Sequence, residues 1–383
     1  MSLLEAQADF GLNLLRANPN ASSQSTIISP ISISIALAMC YVGAKNQTAN
    51  QISQAIAGDA SSDKILDYFS TIMAQLNLQN KSYELDSANR IYVQENFQLL
   101  QSYKQILTNK FQGQFENIDF SNSEAAAQNI NSFIEQATRG KIKDLIPSDA
   151  INDLTRMILT NAIYFKGTWE YKFEKKQTAP KTFYLSENRE QQVPMMKIKN
   201  PFPYYEDNQV KILGLPYKSQ EVFLYVILPK DRFGLSNLLQ NITGQQLQNH
   251  IQEAHKWHNN RFNSEIRIDV ELPRFKIETE LSLNDTLKKL GITDAFDKKK
   301  ADFSGMAGSR NLYVSDVFHK AFIETNEEGS EAAAATGVVI TLMSSRGDSF
   351  EQFQTFHADH PFLYALATRQ GDILFTGTVA SLE

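Results

Sequence analysis

The stretch TNEEGSEAAAATGVVITLMSSRGDSFEQFQTFHADHP (residues 325–361) is the part of the chain on which the fold assignment depends. Four alanines, residues 332–335, lie between Gly329 and Gly337, and a short apolar and then a polar segment follow. Because glutamate and alanine are good helix formers, the stretch alone is compatible with a surface helix and a long loop. Long loops in compact chains are usually functional or disordered, so the surrounding sequence decides between these interpretations.

Composition indicates a globular protein with a large core, since 42% of the 383 residues are hydrophobic and 21% are charged. A net charge of -6 without long blocks of like charge predicts neither nucleic acid nor a membrane as partner. The single cysteine, Cys40, excludes an intramolecular disulfide, and its setting IALAMCYVG predicts a buried thiol. No apolar run is long enough to span a membrane.

The N-terminal segment MSLLEAQADFGLNLL does not match a cleavable signal peptide. It carries Glu5 and Asp9 and lacks both a basic start and a continuous apolar core. We therefore expect a cytoplasmic protein or one secreted without a classical leader.

The first part of the chain predicts helices. Ser29 as N-cap and Pro30 at the first helical position favour a helix ending near Gly43, although ISISIALAM alternates like a strand. Thr48 to Gln51 has the capping-box pattern for a further helix. Other helices are predicted at residues 3–14, 61–78, 99–111 and 123–138, with one strand at residues 83–93.

Strands dominate after residue 154. MILTNAIYF (residues 157–165) is nearly continuous apolar sequence, as expected for a strand buried on both faces. Further strands are predicted at residues 210–213, 221–228, 266–272, 275–279, 321–325, 362–367 and 373–379, with short helices at 235–239 and 283–290. Without a linker or an internal repeat, the sequence predicts one α+β domain.

Standard catalytic and metal motifs are missing from the sequence. It contains no GxSxG, no phosphate-binding glycine loop and no HExxH, so we expect no enzyme, no cofactor and no metal. The spacing of His250, His255 and His258 fits no standard ligand pattern and predicts a solvated polar stretch. The adhesion-like tripeptide Arg346-Gly347-Asp348 is short enough to arise by chance.

Several motifs in consistent order resemble those of the serpin family, almost end to end. They are Ser29-Pro30 with Ser32, NAIYFKGTWEYKF (161–173), LPRFKIETELSLNDTLKKLGITDAF (272–296), ADFSGM (301–306), VFHKAFIETNEEGSEAAAAT (317–336) and FHADHPFLY (356–364). The resemblance implies a single serpin domain over residues 1–383, with three β-sheets, about nine helices and an exposed reactive-centre loop at about residues 327–357.

The resemblance also implies a mechanism. A serine protease, or a cysteine protease, attacks the loop and forms an acyl-enzyme. The cleaved loop then inserts into the main sheet as a new strand, and the protease is dragged along and deformed. The native state is metastable and insertion releases the stored strain. The expected partner is thus a target protease, held covalently by a monomeric inhibitor.

The residues after the pivot Gly329 suit a strand that enters a closed sheet, where side chains alternate between two faces. One face would carry Ser330, Ala332, Ala334, Thr336, Val338 and Ile340; the other would carry Glu331, Ala333, Ala335, Gly337, Val339 and Thr341. Small side chains lose little conformational entropy on ordering, whereas a charge at an inward position would cost several kcal/mol. We therefore expect an inhibitor; the alternative is a non-inhibitory serpin acting as a binding or storage protein.

The family's count from the hinge places the reactive bond at Met343-Ser344. Methionine preceded by Leu342 would suit the apolar pocket of an elastase- or chymotrypsin-like protease. The segment from Met343 to residue 361 is longer than most serpins have, so cleavage after Leu342 or Arg346 stays open. Arg346 would direct the inhibitor to trypsin-like or subtilisin-like proteases.

Other residues match family positions that control the sheet. Ser29, Ser32, Asn161 and His319 match a polar cluster beneath the central strands, where the sheet parts. Trp169 matches the aromatic residue at the top of the sheet, where the loop first enters. Residues 61–82 lack the basic cluster of heparin-activated serpins, so no glycosaminoglycan cofactor is expected.

Overall fold

The computed structural model describes residues 1–76, 82–330 and 353–382, and this part of the chain is α+β. Its α-helices are α1 (Leu3–Ala17), α2 (Pro30–Gly43), α3 (Asn46–Ala57), α4 (Ser62–Leu76), α5 (Gln101–Phe111), α6 (Ser123–Ala137), α7 (Leu235–Asn241), α8 (Gly244–Asn259), α9 (Asn284–Lys289) and α10 (Ser304–Ala307). None of these helices is both long enough and apolar enough to cross a membrane.

The described strands form three sheets. The central sheet contains β2 (Tyr83–Gln94), β3 (Phe115–Ile118), β4 (Met157–Thr168), β11 (Phe275–Ser282), β12 (Asp316–Asn326) and β13 (Gly329–Ser330), in the order β11-β12-β13-β4-β2-β3. A second sheet contains β1 (Thr26–Ile28), β7 (Tyr204–Glu206), β8 (Val210–Pro216), β9 (Val222–Pro229), β15 (Phe362–Thr368) and β16 (Ile373–Val379), in the order β1-β16-β15-β9-β8-β7. The third contains β5 (Ala179–Ser186), β6 (Arg189–Asn200), β10 (Arg267–Pro273) and β14 (Phe353–His357), in the order β14-β10-β6-β5.

The central sheet is covered on both faces. Along β4, Leu159, Ile163 and Phe165 belong to the large core that includes α1 and α2. The alternate residues Ile158, Ala162 and Tyr164 pack in a second cluster that includes side chains of α6. The prediction that residues 157–165 form a strand buried on both faces is therefore confirmed.

Helix α2 begins as the sequence predicts. The Ser29 side chain accepts a hydrogen bond from the backbone N–H of Ser32, and Pro30 occupies the first helical position. Nearly every residue of α2 is buried, so its sequence is apolar on all sides, which explains the alternation that resembles a strand.

The capping-box prediction at Thr48 is wrong. Helix α3 begins at Asn46, after Lys45, and no side chain caps it. Thr48 lies inside the helix, where its buried hydroxyl accepts the backbone N–H of Asp302 at 3.0 Å. A tertiary contact thus uses the threonine that the local pattern assigned to the cap.

Two other expectations need correction. Residues 250–258 are not a solvated stretch but part of α8, with their three histidines partly buried. The strand predicted at residues 321–325 begins earlier, at Asp316.

Candidate functional site: the seam of the central sheet

The candidate site is the seam between β4 and β12. These strands pair directly and in parallel, from Ile158 opposite Asp316 to Tyr164 opposite Phe322. Beyond that point β13 lies between them and pairs antiparallel with both. The central sheet is thus closed along one part of the seam and divided along the other.

A cluster of neutral polar side chains lies beneath the closed part, and we call it the polar cluster. It contains Ser29, Ser32, Asn161 and His319, which the sequence predicted, and also Asn89 of β2. The four predicted residues are completely buried and Asn89 is nearly so.

Hydrogen bonds connect all five members of the polar cluster. The Asn161 amide donates to the Asn89 carbonyl oxygen at 2.5 Å and to the Ser32 hydroxyl. The Ser32 hydroxyl donates to the same Asn89 oxygen at 2.7 Å, and the Ser29 hydroxyl donates to the backbone carbonyl of Leu374 at 2.6 Å. The cluster therefore ties α2, β2, β4 and the second sheet together.

His319 bridges the seam. Its Nε2 accepts the backbone N–H of Ser29 at 3.3 Å, so Nδ1 carries the proton and donates to the side-chain oxygen of Asn161. Burial lowers the pKa of His319 to about 3. The imidazole is therefore neutral at physiological pH, and its bond to Asn161 joins β12 directly to β4.

Ion pairs hold the stem, defined here as Glu327 and Glu328 between β12 and β13. Arg274 donates to the buried Glu327 carboxylate from Nε at 2.9 Å and also from Nη2, and Thr178 donates its hydroxyl to the same carboxylate. Burial alone would raise the pKa of Glu327, but these hydrogen bonds and the arginine charge lower it.

The second stem carboxylate lies closer to solvent. Glu328 pairs with Lys172 at 2.7 Å and with Lys175 at 3.4 Å, and the hydrogen bond from Lys172 is the largest cause of its lowered pKa. Both stem carboxylates are thus ionised and paired at neutral pH.

Aromatic residues surround the point where β13 enters the sheet. The Trp169 indole N–H donates to the backbone carbonyl of Asn326 at 2.8 Å, and the ring stacks on Tyr217 with centroids 4.4 Å apart. The Tyr217 hydroxyl lies 2.6 Å from the hydroxyl of Ser330, which is completely buried.

Gly329 occupies a position that only glycine fits. Its φ is +151°, and a Cβ there would lie 2.0 Å from the carbonyl oxygen of Gly167. Any side chain would therefore push β13 away from β4.

The structure places some predicted residues in the site and leaves others outside the described part of the chain. Ser29, Ser32, Asn161, His319, Trp169, Gly329 and Ser330 all lie along the seam. The expected bait residues Leu342, Met343, Ser344 and Arg346, and the hinge residues Glu331, Ala332, Ala333, Ala334, Ala335 and Thr336, fall outside the described residues.

Sequence reasoning missed Asn89, Thr178, Tyr217 and Arg274. No local pattern distinguishes these residues, because each reaches the site from a strand or loop far away in sequence.

A comparison with protein families identifies the chain. The model of the family described as serpin (serine protease inhibitor) matches residues 5–382. The chain belongs to the serpin family.

Individual relatives agree over the whole length of this serpin. Human Serpin B3 is 37% identical and human leukocyte elastase inhibitor is 35% identical, each over 99% of both chains. The solved structure of Serpin48 from the insect Tenebrio molitor has a TM-score of 0.83 and 30% identity, and covers 100% of this chain and 98% of that one.

The family is described as one of serine protease inhibitors and not as one of enzymes. The resemblance stated from sequence and the predicted α+β serpin fold with three sheets are confirmed.

Proposed function

We propose that this serpin is an inhibitor that a target serine protease cleaves, and whose cleaved loop then inserts between β4 and β12. The observation that carries the proposal is the position of β13. Gly329 and Ser330 already pair with both strands, so residues that follow Ser330 could extend an existing strand rather than begin a new one. In this proposal residues 1–383 form one domain.

The register of β13 supports the proposed insertion. Gly329 lies opposite Thr168 and Ser330 opposite Gly167, so the numbers of paired residues add to 497. Extended in the same register, the strand would reach Ile340 opposite Met157, the first residue of β4. The inserted segment would therefore match the length of the strand beside it.

The same register gives each incoming side chain a suitable neighbour. Ala332, Ala334, Val338 and Ile340 would lie opposite Phe165, Ile163, Leu159 and Met157, all of which belong to the large core. These inward positions are small or apolar, so their entry would bury no charge.

Two polar residues of the loop would also find partners. Glu331 would lie opposite Lys166, and Thr336 would lie opposite Asn161 of the polar cluster. Insertion would break the His319–Asn161 bond, and the Thr336 hydroxyl would arrive where a replacement partner is needed.

We place the cleaved bond at Met343-Ser344, a few residues beyond the end of the inserted strand. An apolar residue there suits an elastase- or chymotrypsin-like target, and one relative is named leukocyte elastase inhibitor. Cleavage after Leu342, cleavage after Arg346 by a trypsin-like or subtilisin-like protease, and a cysteine-protease target are the alternatives.

Incubation with elastase-, chymotrypsin- and trypsin-type proteases tests the proposal. We expect a covalent complex that survives SDS electrophoresis, and mass spectrometry should find a released peptide that begins at Ser344. Met343→Arg should move complex formation to trypsin-type enzymes. If all three proteases cut the loop and stay active, the inhibitor proposal is wrong.

Heating separates the inhibitor from a non-inhibitory binding or storage serpin. A chain that inserts its loop should melt at a much higher temperature once the loop is cut, whereas a chain that cannot insert should melt unchanged. The small residues of the hinge favour insertion.

We propose further that the inhibitor acts as a monomer and without a glycosaminoglycan. Added heparin should leave its association rate with the protease unchanged at constant ionic strength. Light scattering should show one chain per protease in the complex.

A further inference from the structure

A small cavity of about 70 Å³ lies at the C-terminal end of α8. One water molecule needs roughly 10–15 Å³ of cavity volume on this scale, so the cavity holds a group of about five heavy atoms. Its apolar walls are Tyr171, Pro201, Pro203, Pro216 and Phe223.

The remaining lining residues are all hydrogen-bond donors or potential cations. They are Gln220, His255, His258, Asn259 and Arg369. No aspartate or glutamate appears among the described residues that line the cavity, although the chain as a whole has a net charge of -6. Arg369 therefore supplies a positive charge at this cavity, and the two histidines supply imidazole nitrogens.

Two of these groups lack partners within the described part of the chain. The Nδ1 atom of His258 is buried and has no hydrogen-bond partner there. The Arg369 guanidinium forms no hydrogen bond or ion pair with a described residue; only its backbone N–H is bonded, to Glu221. Buried polar groups are normally satisfied, so the buried Nδ1 of His258 points to a hydrogen-bonding ligand. Arg369 is exposed, and its guanidinium is free to contact the same ligand.

His255 is oriented as a donor. The Tyr225 phenol lies 2.6 Å from His255 Nε2, and burial raises the pKa of this phenol, so the hydroxyl stays protonated and donates. The proton of the neutral imidazole then resides on Nδ1.

Charge repulsion within the cavity is also visible. Burial lowers the pKa of His255 to about 4, and Arg369 and His258 lower it further as nearby positive groups. Burial also lowers the pKa of His258. A bound anion would oppose all of these effects and favour protonation of both rings.

We propose that this cavity binds a free tetrahedral oxyanion, such as sulfate or phosphate, through Arg369, His255 and His258. The C-terminal dipole of α8 opposes an anion, whereas charge-assisted hydrogen bonds from Arg369 favour one. A bound ion would also link His255 and His258 of α8 to Arg369 in the turn between β15 and β16.

Sulfate is the best probe, because its charge does not change between pH 5 and 8. We expect NMR titration at pH 6 to shift the imidazole signals of His255 and His258, and to leave His250 unchanged. His250 is a control on the same helix that faces Asp207 at 3.5 Å. Binding should tighten as the pH falls, because the anion favours the imidazolium forms.

Arg369→Gln should weaken sulfate binding at least about tenfold. Lys256→Gln is the matched control: it removes a positive charge from α8 at a residue that pairs with Glu253 outside the cavity, and binding should persist. If both variants bind sulfate equally weakly, the effect comes from the overall charge and not from a site at Arg369. That result would overturn the proposal.

Methyl phosphate separates a free ion from an esterified group. The enclosed volume predicts binding at least tenfold weaker than that of inorganic phosphate. Equal binding would overturn the assignment to a free ion, and no shift of His255 or His258 with any of the three anions would overturn the site itself.

Discussion

The two ends of the β4–β12 seam are held by different interactions. At the closed end, the polar cluster joins β12, β4 and α2 through neutral hydrogen bonds that are buried from solvent. At the divided end, the stem is held by ion pairs whose cationic partners are half exposed, as Arg274 and Lys172 are. When these ion pairs break, water can solvate the stem carboxylates. When the bonds of the buried polar cluster break, water cannot replace them.

The proposed insertion requires a seam that is stable and can still open, and this difference would allow both. An intact hydrogen bond of the polar cluster adds little net stability, but a buried polar group that loses its partner costs much free energy. These bonds therefore keep the seam closed until another polar group replaces the lost partner. In the proposed register that group is Thr336. The ion pairs of the stem instead hold the start of the inserting strand in place.

Ala334→Arg should have the largest effect of the changes considered. Ala334 would lie opposite Ile163 in the core, and burying a guanidinium there would cost several kcal/mol. The cleaved loop should then fail to insert before the protease is released, raising the number of inhibitor molecules consumed per protease at least about 100-fold. Ala334→Ser, with a small side chain, should remain an inhibitor; unchanged inhibition by the arginine variant would show that the register is wrong.

Arg274→Gln should come next, with the native state destabilised by about 3 kcal/mol, because the buried Glu327 carboxylate loses its cation. Arg310→Gln is a matched control, since Arg310 pairs with the buried Asp302 at 2.7 Å, away from the stem. Both variants should unfold at lower urea concentration. Only Arg274→Gln should also accelerate spontaneous loop insertion, measured as loss of inhibitory activity on mild heating. If loop insertion accelerates equally in both variants, the ion pairs of the stem do not control insertion.

His319 should make the closed end of the seam sensitive to acid. Its folded pKa of about 3 lies below the unfolded value near 6.5, so the unfolded state binds more protons between these values. The neutral imidazole therefore contributes its full stabilisation above about pH 6.5. This stabilisation is lost as the pH falls, and the loss is about 2 kcal/mol at pH 5.

His319→Gln tests this pH dependence. Urea unfolding should show that the variant is less stable than the unmodified protein at pH 7.5. The difference between their free energies of unfolding should be about 2 kcal/mol smaller at pH 5. A constant deficit across this range would show that His319 is not the responsible group.

Sequence reasoning succeeded where local pattern and tertiary structure agree. Ser29 and Pro30 cap α2 as predicted, and β4 is buried on both faces as its apolar run indicates. Four members of the polar cluster could be named because they lie within family motifs. Asn89 could not, because its strand brings it to Asn161 through a pairing 72 residues away.

Failures of the sequence predictions have a common cause. Thr48 has the local features of a cap but bonds to Asp302, and two histidines of α8 look polar but pack against β7 and β9. In both cases a distant contact overrides the local pattern. The arrangement of Glu327, Arg274 and Thr178 likewise depends on three segments that only the fold brings together.

The smallest expected effect concerns the hydrogen bond between Tyr217 and Ser330, which fixes the end of β13. Tyr217→Phe keeps the ring that stacks on Trp169 and removes only the hydroxyl, and Ser330→Ala removes the other partner. Each change should cost about 1 kcal/mol of native-state stability, as a neutral buried hydrogen bond does. The double variant should cost little more than either single one, because the second change removes a group that already lacks its partner. Additive costs would mean that the two hydroxyls act independently, and β13 would then be held by its backbone pairing and by the ion pairs of the stem alone.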